Sequence, residues 1–283
     1  MARLIGYFAN QRDRFGCALE AERAALSLDV PTSTDGWGVG SYQSGEVLLR
    51  KKPAEVRDSV DVRAITKDLK TDCAILHLRA ATVGPRTLDN THPFRYRQWL
   101  FAHTGSITGL AHVAPRMRAE IPDFLERNIR GETDSELLFH FVLGALHRAG
   151  RIDDPEADRM TVVQALRDTI PTLDAWCAEA GGGRSTLNLV ITNGLAMVAL
   201  CHGLPMAWCR RQGIRDCEAC RQPPEIAGRD PRRVDHDAFK YVIVASDHST
   251  VPRGWLEAPD ESGGVALAID RSLDVEAVPL SAP

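Results

Sequence analysis

The amino-acid sequence predicts an α+β fold in which two multi-strand sheets stack in layers, with helices packed outside them. Three patterns carry that reading. Compact apolar runs at Cys73 to Leu78 and Gln98 to His103 look like central strands buried on both faces. The segments Asp134 to Leu146 and Thr161 to Ala180 repeat their apolar residues at helical spacing. Strands and helices also come in blocks rather than in strict βαβ alternation, which does not suit one parallel sheet.

In chain order, Arg3 to Ala9 is a short apolar run and reads as a strand. Arg14 to Leu28 spaces Phe15, Leu19, Ala25 and Leu26 as a helix would, with charges between them. Asp35-Gly-Trp-Gly-Val-Gly40 reads as a glycine-rich turn entering a strand, Val39 to Tyr42, and Gly45 marks a hairpin into Glu46 to Arg50. In the helix from Asp134 to Leu146, Leu137, Leu138, Phe141 and Val142 share a face, with Thr133 or Asp134 as its cap. Pro171 should kink the helix from Thr161 to Ala180. Leu187 to Thr192 and Leu195 to Leu200, separated by Asn193-Gly194, give the strongest hairpin signal in the chain. Lys240 to Ser246, Gly264 to Asp270 and Val275 to Pro279 read as closing strands. The polar, proline-bearing stretch from Cys209 to Asp237 reads as an inserted loop within one domain spanning residues 1–283.

Composition narrows the functional classes. The chain is 44% hydrophobic and 25% charged, ordinary for a globular protein with a sizeable core. A formal net charge of −4, with basic residues scattered apart from clusters such as Arg232-Arg233, gives no reason to expect nucleic acid or anionic membrane as partner. No stretch approaches the roughly 18 uninterrupted apolar residues of a membrane span. Met1 to Asn10 runs into Arg12, Asp13 and Arg14 and is not a signal peptide. Seven cysteines, an odd number, fit reduced thiols and a cytoplasmic location.

Eight short motifs then follow one another: Met-Ala-Arg-Leu-Ile-Gly-Tyr (1–7), Asp35-Gly-Trp-Gly-Val-Gly40, His77-Leu-Arg-Ala-Ala-Thr-Val-Gly84 and Asn90-Thr-His-Pro-Phe94, then Phe101-Ala-His-Thr-Gly-Ser-Ile107, Gly131-Glu-Thr-Asp-Ser-Glu136, Leu187-Asn-Leu-Val-Ile-Thr-Asn-Gly194 and Val242-Ile-Val-Ala-Ser-Asp247. Together they resemble the class II glutamine amidotransferases, in the stand-alone branch that includes γ-glutamyl amidohydrolases of ergothioneine biosynthesis and glutathione breakdown. The resemblance covers residues 1 to about 247. It implies a four-layer αββα sandwich of the N-terminal-nucleophile hydrolase type, with no cofactor and no ammonia-using domain in the chain.

The resemblance also assigns a site. The family's nucleophile is a cysteine that becomes the first residue once Met1 is removed, and its α-amino group handles protons near its ordinary pKa of roughly 7.7 to 8.0. Ala2 stands at that position and has no nucleophilic atom. The family's oxyanion hole uses an asparagine side chain and the next backbone N–H. Here those positions are Thr104 and Gly105, so only the backbone donor is kept. Arg79 matches the arginine that grips the α-carboxylate of glutamine, and Asp134 matches the carboxylate that receives the α-ammonium. Thr82 and His92 match positions beside the pocket.

These residues also have plainer readings. Arg79 alone could be a structural ion-pair residue, Asp134 a helix cap, and His77, His92 and His103 structural hydrogen-bonding groups. Cys217-Glu-Ala-Cys220, with Cys209 upstream and His236 beyond, has the spacing of a zinc knuckle. A single CxxC without a second matching pair is ambiguous, an irregular loop with free thiols is the favoured reading, and the expectation is no metal. Cys17 and Cys73 read as small buried hydrophobes. The function expected is binding of glutamine or a γ-glutamyl amide with little hydrolysis, as a sensor or an assembly partner of another protein. The rivals are a working hydrolase, in which Ala2 is an introduced change or another residue such as Thr104 attacks, and an interaction module with a vestigial pocket.

Overall fold

A computed structural model describes residues 2–29, 32–221, 234–246, 250–260 and 263–281, without the side chain of residue 57. Met1, the Arg232-Arg233 cluster and Asp247 lie outside the described residues. The chain opens with β1 (Arg3–Ala9), α1 (Phe15–Ala21), β2 (Thr32–Gln43), β3 (Glu46–Val60), α2 (Val62–Thr66) and β4 (Cys73–Leu78). Then come β5 (Phe94–Tyr96), β6 (Trp99–Ser106), α3 (Leu110–Glu120), α4 (Asp123–Glu126), α5 (Asp134–Arg148) and α6 (Arg159–Glu179). It closes with β7 (Thr186–Thr192), β8 (Met197–Cys201), β9 (Met206–Gln212), β10 (Lys240–Ser246), β11 (Leu256–Glu257), β12 (Val265–Ile269) and β13 (Val275–Pro279).

The strands form two antiparallel sheets. One has seven strands in the order β11-β9-β10-β1-β4-β2-β3, the other six in the order β13-β12-β8-β7-β6-β5. Three apolar clusters hold four layers together. Leu4 and Phe8 of β1 pack with Ile75, Leu100, Val190 and Met197 between the sheets. The alternate β1 residues Ile5, Tyr7 and Ala9 face the opposite way, onto Phe15, Ala18 and Leu19 of α1. This period-2 split explains why β1 shows no polar alternation: both its faces are buried. The six-stranded sheet turns Phe101, Leu189 and Ile191 towards α3, α5 and α6, where Phe139, Phe141 and Leu166 complete the largest cluster. The result is the αββα sandwich the sequence leads one to expect.

Local chemistry explains the departures from the sequence reading. The first helix ends at Ala21 rather than Leu28. Glu22 is drawn instead into bonds from Arg211 Nε (2.8 Å), Tyr241 Oη (3.1 Å) and Trp255 Nε1 (2.8 Å). Asp35 to Gly40 lies inside β2, not in a turn, and β2 carries a bulge between Thr34 and Gly36. Gly38 has to be glycine there, because a Cβ would sit 2.1 Å from the His92 carbonyl oxygen. The turn at Asn193 is longer than the two residues expected: Asn193 Oδ1 accepts from Leu195 N–H and Ala196 N–H, and β8 starts only at Met197. The expected insertion over 209–237 begins too early. Residues 206–212 form β9, paired along its whole length with β10. Its burial alternates between Cys209 inside and Arg210 outside, which reads as polar loop in the sequence. Pro171 and Pro115 are both contained within their helices.

Candidate functional site

One cavity of about 480 Å³ opens where β1 begins and β4 and β6 end against the N-terminus of α5, and Ala2 lines it. Antiparallel pairing fixes Ala2. Arg3 lies opposite Leu78 on β4, and Ile5 opposite Ala245 on β10. Ser246 Oγ, at the end of β10, accepts the Leu4 N–H at 3.1 Å. Sheet pairing also delivers Arg79, directly after β4, to the same cavity.

The two sheets turn their polar ends towards each other here. His77 of β4 and Thr104 of β6 face between the sheets, with Thr104 Oγ1 3.4 Å from His77 Nε2. The His77 ring packs against His92, ring centres 4.1 Å apart, and His92 meets Phe94 edge-on at 4.7 Å. Neither nitrogen of His92 has a hydrogen-bond partner among the described residues. One residue on, His103 points to the other side of β6. Its Nε2 lies 3.1 Å from the Thr186 carbonyl, which can only accept, so Nε2 carries the proton. His103 Nδ1 therefore accepts from Ser135 Oγ at 2.9 Å. Burial pushes the His77 imidazole down to about 3, aided by the nearby His103 and Arg79. Burial likewise lowers His92 and His103, although Asp134 opposes the shift at His103. All three rings are neutral near pH 7.

Gly105 takes φ +143°, and a Cβ there would lie 1.9 Å from the Thr186 carbonyl oxygen. The sequence GS after Thr104 thus fits a close approach of β6 to β7. Thr133 caps α5 by accepting the Glu136 N–H at 3.2 Å. That leaves Asp134 as the first residue of the helix, not its cap. Its Oδ2 accepts the Ile107 N–H at 3.1 Å and its Oδ1 the Ser135 N–H at 2.8 Å. The positive end of the α5 dipole favours an anion in this place.

Arg79 is buried and is not an open fork. Nη1 donates to the Pro85 carbonyl at 2.9 Å, and Nη2 to the carbonyls of Val83 and Gly84 at 2.9 and 3.0 Å. The guanidinium holds the loop after β4, which Asp35 anchors from the other side. Asp35 Oδ2 accepts the Ala81 N–H at 2.9 Å, and Oδ1 pairs with Arg86 at 2.7 Å. Thr82 sits in this loop and lines the cavity.

Of the residues singled out in the sequence, Ala2, Arg79, Thr82, His92, Thr104, Gly105 and Asp134 all line the one cavity, and no cysteine does. Thr133, Ser135, Thr186 and Ser246 line it too and were not singled out as site residues, although all but Thr186 stand inside quoted motifs. Cys217 and Cys220 lie elsewhere, grouped with His236 and Cys17 but not with Cys209. Cys209 is on β9, its thiol pushed up to about 12 by burial and by Glu22. Cys17 gave no signal as a partner because about 200 residues separate it from the CxxC pair.

A sequence profile described as "Glutamine amidotransferases class-II" matches residues 2–255. The chain belongs to the class II glutamine amidotransferases. Among the relatives of this family member, the Saccharomyces cerevisiae protein named "Probable glutamine amidotransferase DUG3" is 27% identical over 190 residues, 62% of this chain and 53% of that protein. A Mycobacterium tuberculosis gamma-glutamyl-hercynylcysteine sulfoxide hydrolase is 26% identical over 248 residues, 85% of this chain and 81% of the relative. The chain spans between 39% and 63% of the length of three other curated relatives, the yeast protein among them. In structure, a class II glutamine aminotransferase domain protein from Silicibacter pomeroyi superposes with a TM-score of 0.56 at 17% identity, covering 99% of this chain and 100% of that one. A Pseudomonas aeruginosa protein described as a "predicted glutamine amidotransferase" gives 0.55 at 20% identity, covering 97% of this chain and 94% of that one. These similarities establish the N-terminal-nucleophile fold. Among the described residues no helix is long and apolar enough to cross a membrane.

Proposed function

We propose that this chain binds glutamine or another γ-glutamyl amide in the cavity and hydrolyses it slowly or not at all. One observation carries the proposal: the cavity lining holds one arginine and one aspartate, Arg79 and Asp134, while the nucleophile position is Ala2. An amino-acid ligand carries one carboxylate and one ammonium, and a pocket with one fixed charge of each sign complements it. The names of the relatives point to the same ligand class. Loss of the nucleophile in a serine protease costs on the order of 10⁶ in turnover, and loss of one oxyanion donor about 10² to 10³.

Binding has a structural consequence at Arg79. Arg79 commits three of its five N–H donors to the Val83, Gly84 and Pro85 carbonyls, so a ligand carboxylate takes the donors that remain and competes for the others through charge-assisted bonds roughly twice as strong as those to neutral carbonyls. A hydrolase with a replacement nucleophile is the second reading, because Thr104 Oγ1 approaches His77 Nε2 at 3.4 Å. An imidazole pushed down to about 3 is a weak base, which argues against that reading.

Titration calorimetry with L-glutamine tests the proposal on the wild-type chain, Arg79→Lys and Asp134→Asn, with circular dichroism confirming each fold. The expected result is saturable binding by wild type, weakened by about 10- to 100-fold in either variant. Equal, negligible heats in all three proteins would remove the pocket from the account.

A further inference from the structure

We propose that Cys17, Cys217, Cys220 and His236 bind one structural zinc ion on the far side of the seven-stranded sheet from the cavity. Their four donor atoms lie within 4.8 Å of one another, and Cys17 Sγ is 3.4 Å from Cys220 Sγ. Zinc binds thiolate at about 2.3 Å and imidazole at about 2.0 to 2.1 Å, which sets tetrahedral edges of roughly 3.4 to 3.8 Å. The group needs to contract by no more than about 1 Å to close around an ion.

The backbone holds these residues in place without the ion. Gly213 N–H donates to the Phe239 carbonyl at 2.7 Å, His236 N–H to Ile214 at 2.9 Å, and Cys217 N–H to Val234 at 2.9 Å. These bonds run the two arms of the excursion between β9 and β10 side by side. They bring His236 next to the CxxC turn, which Cys220 N–H closes on the Cys217 carbonyl at 3.1 Å. Asp216 takes φ +49° just before the turn and Oδ1 of Asp235 accepts its N–H at 2.6 Å. Cys17 is presented from α1, whose Phe15, Ala18 and Leu19 are fixed in the apolar layer.

Two further observations point to an ion. His236 is 8% exposed, yet its Nε2 is buried with no hydrogen-bond partner among the described residues. Arg14, at the cap of α1, likewise has a buried Nε without a partner, and its charge acts on His236. Three thiolates and an imidazole around Zn²⁺ carry a net charge of −1, which an adjacent guanidinium offsets. Four protein ligands leave no open position, so the ion is structural rather than catalytic. On binding, each thiol releases its proton to solvent and no electron is transferred. The ion would tie the excursion to α1, and through it to β1, which carries Ala2.

Elemental analysis of the untagged, reductant-purified chain tests the site. The expected content is about one zinc per chain, falling at least tenfold in Cys220→Ser and His236→Ala and retained in Cys209→Ser. As a readout without mutation, chelator-stripped wild type titrated with Co²⁺ should develop the visible bands of a tetrahedral thiolate complex at one equivalent. A wild type that lacks zinc and gives no such bands overturns the proposal. So does a Cys17–Cys220 disulfide that forms in place of metal, or zinc lost with Cys209→Ser.

Discussion

Ser135 Oγ donates to His103 Nδ1 at 2.9 Å, because His103 commits its only proton, on Nε2, to the carbonyl of Thr186. This is a hydroxyl–imidazole pair inside the cavity, the arrangement a hydrolase without a cysteine would need. Its surroundings argue for a structural role. Ser135 is 5% exposed on the first turn of α5, and burial lowers the basicity of His103. We predict that Ser135→Ala, made in the Ala2→Cys background, leaves ammonia release at the Ala2→Cys level but lowers unfolding free energy by about 1 to 3 kcal/mol, since His103 Nδ1 loses its donor. Denaturant titration beside an ammonia assay checks both halves. A fall in ammonia release would make Ser135 a catalytic residue.

The three histidines around the cavity set an acid limit on the fold. In the folded state all three ionise below the ordinary value of about 6.5, His77 at about 3. As pH falls below about 6.5 the unfolded chain takes up protons that the folded chain refuses. Their contribution to stability is thus complete above about pH 7 and is lost on acidification, with His77 still contributing to the loss down to about pH 3. Each histidine steepens the slope by up to about 1.4 kcal/mol per pH unit. Unfolding free energies measured from pH 7.5 to 4.5 should show a shallower slope for His77→Gln than for wild type. Matching slopes would contradict this.

Gly105 and Gly16 should respond to alanine with opposite signs. At Gly105 a Cβ would lie 1.9 Å from the Thr186 backbone oxygen, at φ +143°. At Gly16, inside α1, a Cβ would meet nothing within 4 Å. Gly105→Ala should cost about 3 kcal/mol or more, as strained backbone and a β6–β7 clash add. Gly16→Ala should stabilise by roughly 0.5 to 1 kcal/mol. Paired thermal melts decide between this and a tolerant Gly105.

Much of this molecule was legible in its sequence, for identifiable reasons. Cys73–Leu78 is buried on both faces and Lys240–Ser246 nearly so, and their mostly apolar runs made both strands legible. Ala2, Arg79, Thr104 and Asp134 could be brought together only because short motifs tied them to one family. No local pattern says that residues so far apart share a cavity. What escaped depends on tertiary contacts. The occupation of Arg79 by the carbonyls of 83–85 is a property of loop closure. β9 carries outward arginines that hide its strand period, and Cys17 joins Cys217 and Cys220 only through the packing of α1.

Ammonia release from glutamine, measured on wild type, Ala2→Cys and Ala2→Cys/Thr104→Asn with Met1 removal confirmed by mass, tests the central claim most directly. The account predicts no release above the blank for wild type and measurable release once a thiol stands at position 2. It also predicts a further gain of about 10² when the second oxyanion donor is restored. Release by the wild-type chain at the rate of Ala2→Cys would contradict it.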